Sequence, residues 1–203
     1  MSRMLAGSGT RRMTILRVSN IAREFTARDS HSIQRTAMPV VPFDTLPDAS
    51  RVWVFGSDKP LDEKQATTLF EGVDEHLENW KAHGTPLTVA REWRENRFLV
   101  VAVDQSTAGA SGCSIDGLFR VLQQLERSVG ASLVGGGRVF YRDATGGICS
   151  VAQADVATLA QNGAITKDTV VFDTSLTDLG TWRTCFERPA RESWVKALFG
   201  ETA

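Results

Sequence analysis

Two strand-like runs in this chain, residues 87–93 and 97–104, are separated only by Arg94, Glu95 and Asn96. A parallel crossover needs a dozen or more residues, so a spacer this short joins antiparallel neighbours. Val139, Phe140 and Tyr141 face Ile148 and Cys149 in the same way across Asp143, Ala144, Thr145 and Gly146. Two hairpins commit the chain to a mixed or largely antiparallel sheet.

Helical periodicity supplies what covers that sheet. Over residues 62–82, Ala66, Leu69, Phe70, Val73, Leu77 and Trp80 form one apolar stripe. That helix is expected to stop at His83 and Gly84, with Gly84 just past its end and Pro86 beyond. A small polar loop at 105–112 leads to a second helix, with Ile115, Leu118, Phe119, Val121, Leu122 and Leu125 inward. Ser150 and Gln153 match a capping box, which predicts a third helix closing near Gly163. Residues 51–55 read as a central strand and Val170, Val171 and Phe172 as the last one. Residues 189–199 look helical and amphipathic. The expectation is one α+β domain over 38–203, with helices packed on its sheet.

Charge divides the chain at about the same boundary. The net charge of -1 combines seven arginines and two acids before Met38 with 16 basic and 22 acidic residues from there on. The basic part, residues 1–37, has no strong apolar pattern. It reads as a disordered leader, a mis-assigned start, or an Arg-rich transit peptide. The acidic domain carries no basic stripe, so no nucleic-acid partner is expected. No apolar run approaches the roughly 20 residues that span a bilayer. Cys113, Cys149 and Cys185 are odd in number and widely spaced, as reduced thiols of a cytoplasmic protein would be.

Chemistry points first to residues 108–116, where small residues join a strand to a helix. Gly109, Ser111, Gly112 and Ser114 would let backbone amides approach an anion at the helix N-terminus. At 100° per residue, Cys113, Asp116 and Arg120 fall within about 60° of one another, opposite Leu118 and Leu122. The plain alternative is a serine cap, Asp116 at the positive helix end, and an Asp116–Arg120 surface pair. A catalytic version makes Cys113 a nucleophile, with His83 or His76 as its base and amides near Gly112 as oxyanion donors. His76 and His83 are seven residues apart, too far for a helical metal pair, and no cofactor or metal is called for.

Several motifs are absent. No P-loop, H-E-x-x-H, C-x-x-C or G-x-S-x-G occurs, and Gly135, Gly136 and Gly137 precede a strand with no lysine after them.

The chain nevertheless resembles a family of small bacterial proteins common in Bacteroidetes. The strings that carry this are Pro42-Phe43, Leu46-Pro47, Arg51-Val-Trp53, Trp80-Lys-Ala-His-Gly-Thr-Pro-Leu87, Asn96-Arg-Phe98 and Gly112-Cys-Ser-Ile-Asp116. Gln123-Gln-Leu-Glu126, Val170-Val-Phe172 and Pro189-Ala-Arg-Glu-Ser-Trp194 continue the likeness. It covers roughly 42–199 and leaves out the basic leader. Members often carry the label "ABC transporter ATPase", which implies a nucleotide-related role, yet this chain lacks the Walker motifs. The resemblance assigns no site residue. The functional expectation is therefore a small ligand- or partner-binding domain, with a Cys113 enzyme as the alternative.

Overall fold

The computed structural model describes residues 40–106 and 108–199, and the basic leader lies outside them. After a 3-10 turn at Phe43–Thr45 come β1 (Arg51–Gly56) and α1 (Glu63–Glu78). A miniature pair follows, β2 (Lys81–Ala82) and β3 (Thr85–Pro86), then β4 (Thr88–Arg94), β5 (Phe98–Asp104) and α2 (Gly112–Val129). The second half holds β6 (Arg138–Arg142), β7 (Ile148–Ala152), α3 (Val156–Gln161), β8 (Val170–Phe172), α4 (Leu179–Cys185) and β9 (Glu187–Pro189). All described residues fall in one compact unit, and none of their helices is long and apolar enough to cross a membrane.

The α+β class expected from sequence is what the chain adopts, with two larger sheets where one was foreseen. The first has the order β1-β5-β4 and the second β7-β6-β8-β9, every pair antiparallel. Strand β5 explains the layering. Leu99, Val101 and Val103 join a core with Leu69, Val73 and Leu77 of α1 and Leu118 and Leu122 of α2. Phe98, Val100 and Ala102 join a second core with Phe140, Phe172, Leu179 and Trp182. The two-residue alternation of a strand sends its side chains to both faces, and both faces of β5 are covered. On its far side the second sheet buries Val139, Tyr141 and Val171 against Val156 and Val195. The order of layers is helices, sheet, sheet, helices.

Several local expectations are corrected. Strand β1 is an edge of its sheet, because β5 is the strand with apolar cover on both faces and takes the centre. Helix α1 begins after the Asp62 cap but ends at Glu78, with Asn79 as its C-cap, four residues short of the expected 82. His83 and Gly84, with φ of 51° and 84°, form the left-handed turn between β2 and β3. Trp80 is thereby turned inward, where its Nε1 donates to the Ser114 carbonyl at 2.9 Å. Ser150 caps no helix. It pairs with Phe140 in β7, and its hydroxyl accepts from Arg138 Nε at 2.6 Å. Val170–Phe172 is not the last strand, since α4 and β9 follow it, and the tail forms 3-10 turns at Ala190–Glu192 and Trp194–Phe199.

The turn expected around Asp143 is present. Its Oδ1 accepts from the Thr145 amide at 2.8 Å, the Thr145 hydroxyl at 2.7 Å and the Gly147 amide at 2.9 Å. These bonds, led by the Thr145 hydroxyl, hold the Asp143 carboxyl below its ordinary value of 3.8.

Candidate functional site

The segment singled out by sequence opens α2. Ser111 is its N-cap, accepting from the Ser114 amide at 3.3 Å, and the Ser114 hydroxyl donates back to the Ser111 carbonyl at 2.8 Å. Ala108 and Ala110 pack against the helical core, which accounts for their small size. Gly109 and Gly112 lie exposed with ordinary negative φ, so neither is held there by backbone strain. Cys113, Asp116 and Arg120 are exposed, and Leu118 and Leu122 are fully buried. Arg120 Nε donates to the Asp116 carbonyl at 3.2 Å, so the expected carboxylate–guanidinium pair is replaced by a backbone contact.

The histidines stand apart from that thiol. His83 is exposed in its turn, and no hydrogen bond joins Cys113 to either histidine among the described residues. His76 lies half-buried in α1 with its ring 5.6 Å from that of Trp80, and its Nε2 is buried without a partner among the described residues. Burial lowers its pKa below the ordinary 6.5. The unfolded chain therefore takes up this proton more readily than the folded one. The stabilisation from a neutral His76 is complete above about pH 6.5 and is lost as pH falls through the lowered folded value. Acidification from pH 7.5 to 5.5 is expected to lower the urea midpoint, with a shallower loss in His76→Phe. Equal slopes for the two proteins would remove the effect from His76.

A different place has the geometry of a binding site. Between the outer edge of β1, which among the described residues is bridged only at its start by residues 177–179, and the second sheet lies a cleft of about 340 Å³. Its walls include Arg51, Trp53, Val54, Phe119, Leu133, Gly135, Gly136, Gly137, Arg138, Phe140, Thr174, Ser175 and Thr177. Beyond α2 the chain is pulled tight by Glu126, whose Oε1 accepts from the amides of Leu133 at 2.5 Å and Val134 at 2.7 Å. The Ser132 amide donates to Asp58 Oδ1 at 2.9 Å. These two carboxylates fix residues 132–134, so the three glycines start from a rigid base. Their own amides donate to nothing among the described residues. Gly137 has φ of 79°, a conformation that side chains other than glycine rarely accept.

The opposite wall is built from β1. The Val52 amide donates to the Thr177 carbonyl at 3.0 Å, which places even-numbered residues of β1 facing away from β5. Val54 therefore turns its amide and carbonyl toward the cleft, where neither has a backbone partner among the described residues. Gly56 lets the two sheets meet at the closed end. A Cβ on it would lie 2.4 Å from Phe140 Cζ, well inside contact distance.

The electrostatics are one-sided. Among the described residues no Asp or Glu lines the cleft, although residues 38–203 carry six more acids than bases. Arg51 lies over the Trp53 ring at 4.8 Å, and Arg138 donates to the Ser150 hydroxyl and carbonyl. Neither guanidinium has a carboxylate within 4.0 Å among the described residues. Among those residues, no three His, Cys, Asp or Glu side chains gather as they would around a metal ion. Sequence reasoning passed over this site, noting the glycines only because no lysine follows them. Three consecutive glycines before a strand were the available signal.

Fold and cleft together define an α+β domain of two stacked antiparallel sheets with a basic, glycine-walled cleft at their seam. Compared with protein-family models, with curated proteins and with solved structures, the chain matches none.

Proposed function

We propose that this is a small cytoplasmic ligand-binding domain and that its ligand is an organic anion held in the cleft beside β1. The observation that carries this reading is a lining with two arginines and, among the described residues, no acid, in a domain that is otherwise acidic. Preformed concave sites of about 300–1,000 Å³, with apolar walls and a few convergent polar groups, are the usual form of small-molecule sites. Trp53, Phe119, Leu133 and Phe140 would cover an apolar body, while the glycine amides and arginines would take a carboxylate or phosphate. The start of α2 supports this less well, because Ser111 already occupies its amide and nothing else there aims at a ligand.

The test is a panel of aromatic carboxylates and phosphate monoesters followed through the amide resonances of Gly135, Gly136 and Gly137. Anions are expected to shift these resonances saturably, and neutral amide analogues are not. Arg51→Gln combined with Arg138→Gln is expected to weaken binding at least tenfold. Unmoved glycine resonances across the panel would overturn the proposal. ATP belongs in the panel because the resemblance to the ATPase-labelled family raises a nucleotide role.

The enzyme alternative rests on the exposure of Cys113 at the first turn of α2, set against Cys149 and Cys185, which are partly covered. Iodoacetamide is expected to label Cys113 before the other two. A nucleophile would also show labelling that saturates well below pH 8.5, and a rate rising through that pH like a free thiol argues against catalysis.

A further inference from the structure

The outer edge of β1 is occupied by the protein's own chain on both sides of the cleft. At its start the Leu179 amide donates to the Ser50 carbonyl at 2.9 Å, and the Val52 amide to the Thr177 carbonyl at 3.0 Å. Just past its end the Asp58 amide donates to the Ser132 carbonyl at 2.9 Å. Between these contacts lie Val54 and Gly56, whose outward amides and carbonyls have no backbone partner among the described residues. Both residues line the cleft. They stand two apart in the strand, about 7 Å, so an added strand of two or three residues spans them.

The apolar lining falls on both faces of this edge. Trp53, Phe119 and Leu133 belong to the core beneath the helices, whereas Val54, Phe140 and Leu176 belong to the core between the sheets. An extended chain sends alternate side chains to opposite faces. Laid along β1, it would set one side chain on the Trp53 side and the next on the Phe140 side. Strand addition of this kind draws affinity from main-chain hydrogen bonds and selectivity from the alternating contacts. Charge defines the ends of the occupant. Arg51 and Arg138 have no carboxylate within 4.0 Å among the described residues, which suits a terminal carboxylate. Among those residues no Asp or Glu lines the cleft to receive an ammonium group, so the other end is uncharged.

We propose that the ligand of the cleft is a free N-acylated peptide of two or three residues with a terminal carboxylate, bound as an added strand on β1. This deepens the ligand-binding reading and rests on it. Residues 177–179 and Ser132 close the edge at its two ends, which sets the short length.

N-Acetylvalylphenylalanine serves as the probe, added to the full chain and followed at the Val54 amide. At saturation it is expected to slow hydrogen exchange there at least tenfold, and its C-terminal amide is expected to bind at least tenfold more weakly. Successive amide nitrogens of a strand point to opposite edges, so only one of the probe's two faces β1. Methylating that nitrogen is expected to weaken binding about tenfold, and methylating the other less than about threefold. Equal effects of the two methyl analogues, or an unprotected Val54 amide, overturn strand addition. Val54→Pro removes the donor at an edge position where proline is tolerated, and is expected to bind the probe at least tenfold more weakly. A Val54→Pro protein that binds like the parent also overturns the proposal, and the methyl analogues decide the matter should this variant not fold. If aromatic carboxylates move the glycine amides while the probe leaves Val54 unprotected, the anion cleft stands and the peptide assignment falls. If neither acts, both readings fail. Lengthening the probe by six residues at its acyl end is expected to gain nothing. Tighter binding of the longer peptide assigns the cleft to the tail of a partner protein and overturns the small-ligand proposal.

Discussion

Phe98→Ala is expected to lower the unfolding free energy by about 3–5 kcal/mol, the usual cost of emptying a large aromatic site in a core. Phe98 is fully buried, and its ring centroid lies 4.8 Å from that of Phe172, 5.1 Å from Phe140 and 5.2 Å from Phe186. Those neighbours belong to β8, β6 and the end of α4, so one side chain of the first sheet ties together the elements of the second. Small domains have only about 5–15 kcal/mol to lose. The cavity cannot close easily, because Phe140 is already pressed against Gly56. Urea unfolding would show a large drop in midpoint at nearly constant slope. A loss under about 1 kcal/mol would mean that the two sheets do not depend on this contact.

Asp173→Ala should cost a similar amount, about 3–5 kcal/mol, for a different reason. The Asp173 side chain is fully enclosed and ion-paired with Arg188 of β9. It also accepts from the Ser175 amide at 3.0 Å and the Ser175 hydroxyl at 2.5 Å. Removing the carboxylate strands the Arg188 charge, whose Nε already lacks a partner among the described residues. Replacing both members, Asp173→Leu with Arg188→Met, is expected to recover most of the stability, and a double-mutant cycle measures the coupling. The same carboxylate holds Ser175 in the cleft wall, so the single variant should also weaken ligand binding. Additive single and double losses would show that the pair is not coupled.

Much of the scaffold was legible residue by residue. Residues 66, 69, 73 and 77 recur at helical spacing and are the buried positions of α1. The hairpin across Arg94, Glu95 and Asn96 formed as the short spacer required, with Glu95 and Asn96 at φ of 57° and 51°. Gly84 misled, because a glycine after an apolar stripe marks a helix end and a left-handed hairpin turn equally well. Ser150 misled in the same manner, since a capping box and a polar position in a strand share one local pattern. The cleft was illegible. Its two walls come from β1 and from residues 133–138 and 174–177, and they meet only because Glu126 and Asp173 anchor the loops that carry them.

The sequence by itself determined which segments are helices or hairpins and which of their faces avoid water, since periodicity and spacer length are local properties. Only the tertiary structure decided which layer each face meets. An apolar side chain such as Phe98 is driven from water without preference for the surface that receives it, and shape alone selects Phe140 and Phe172. The unneutralised arginines at the seam followed from that choice. Arg51 and Arg138 stand 87 positions apart in the chain, and the stacking of the two sheets is what brings both to one cleft.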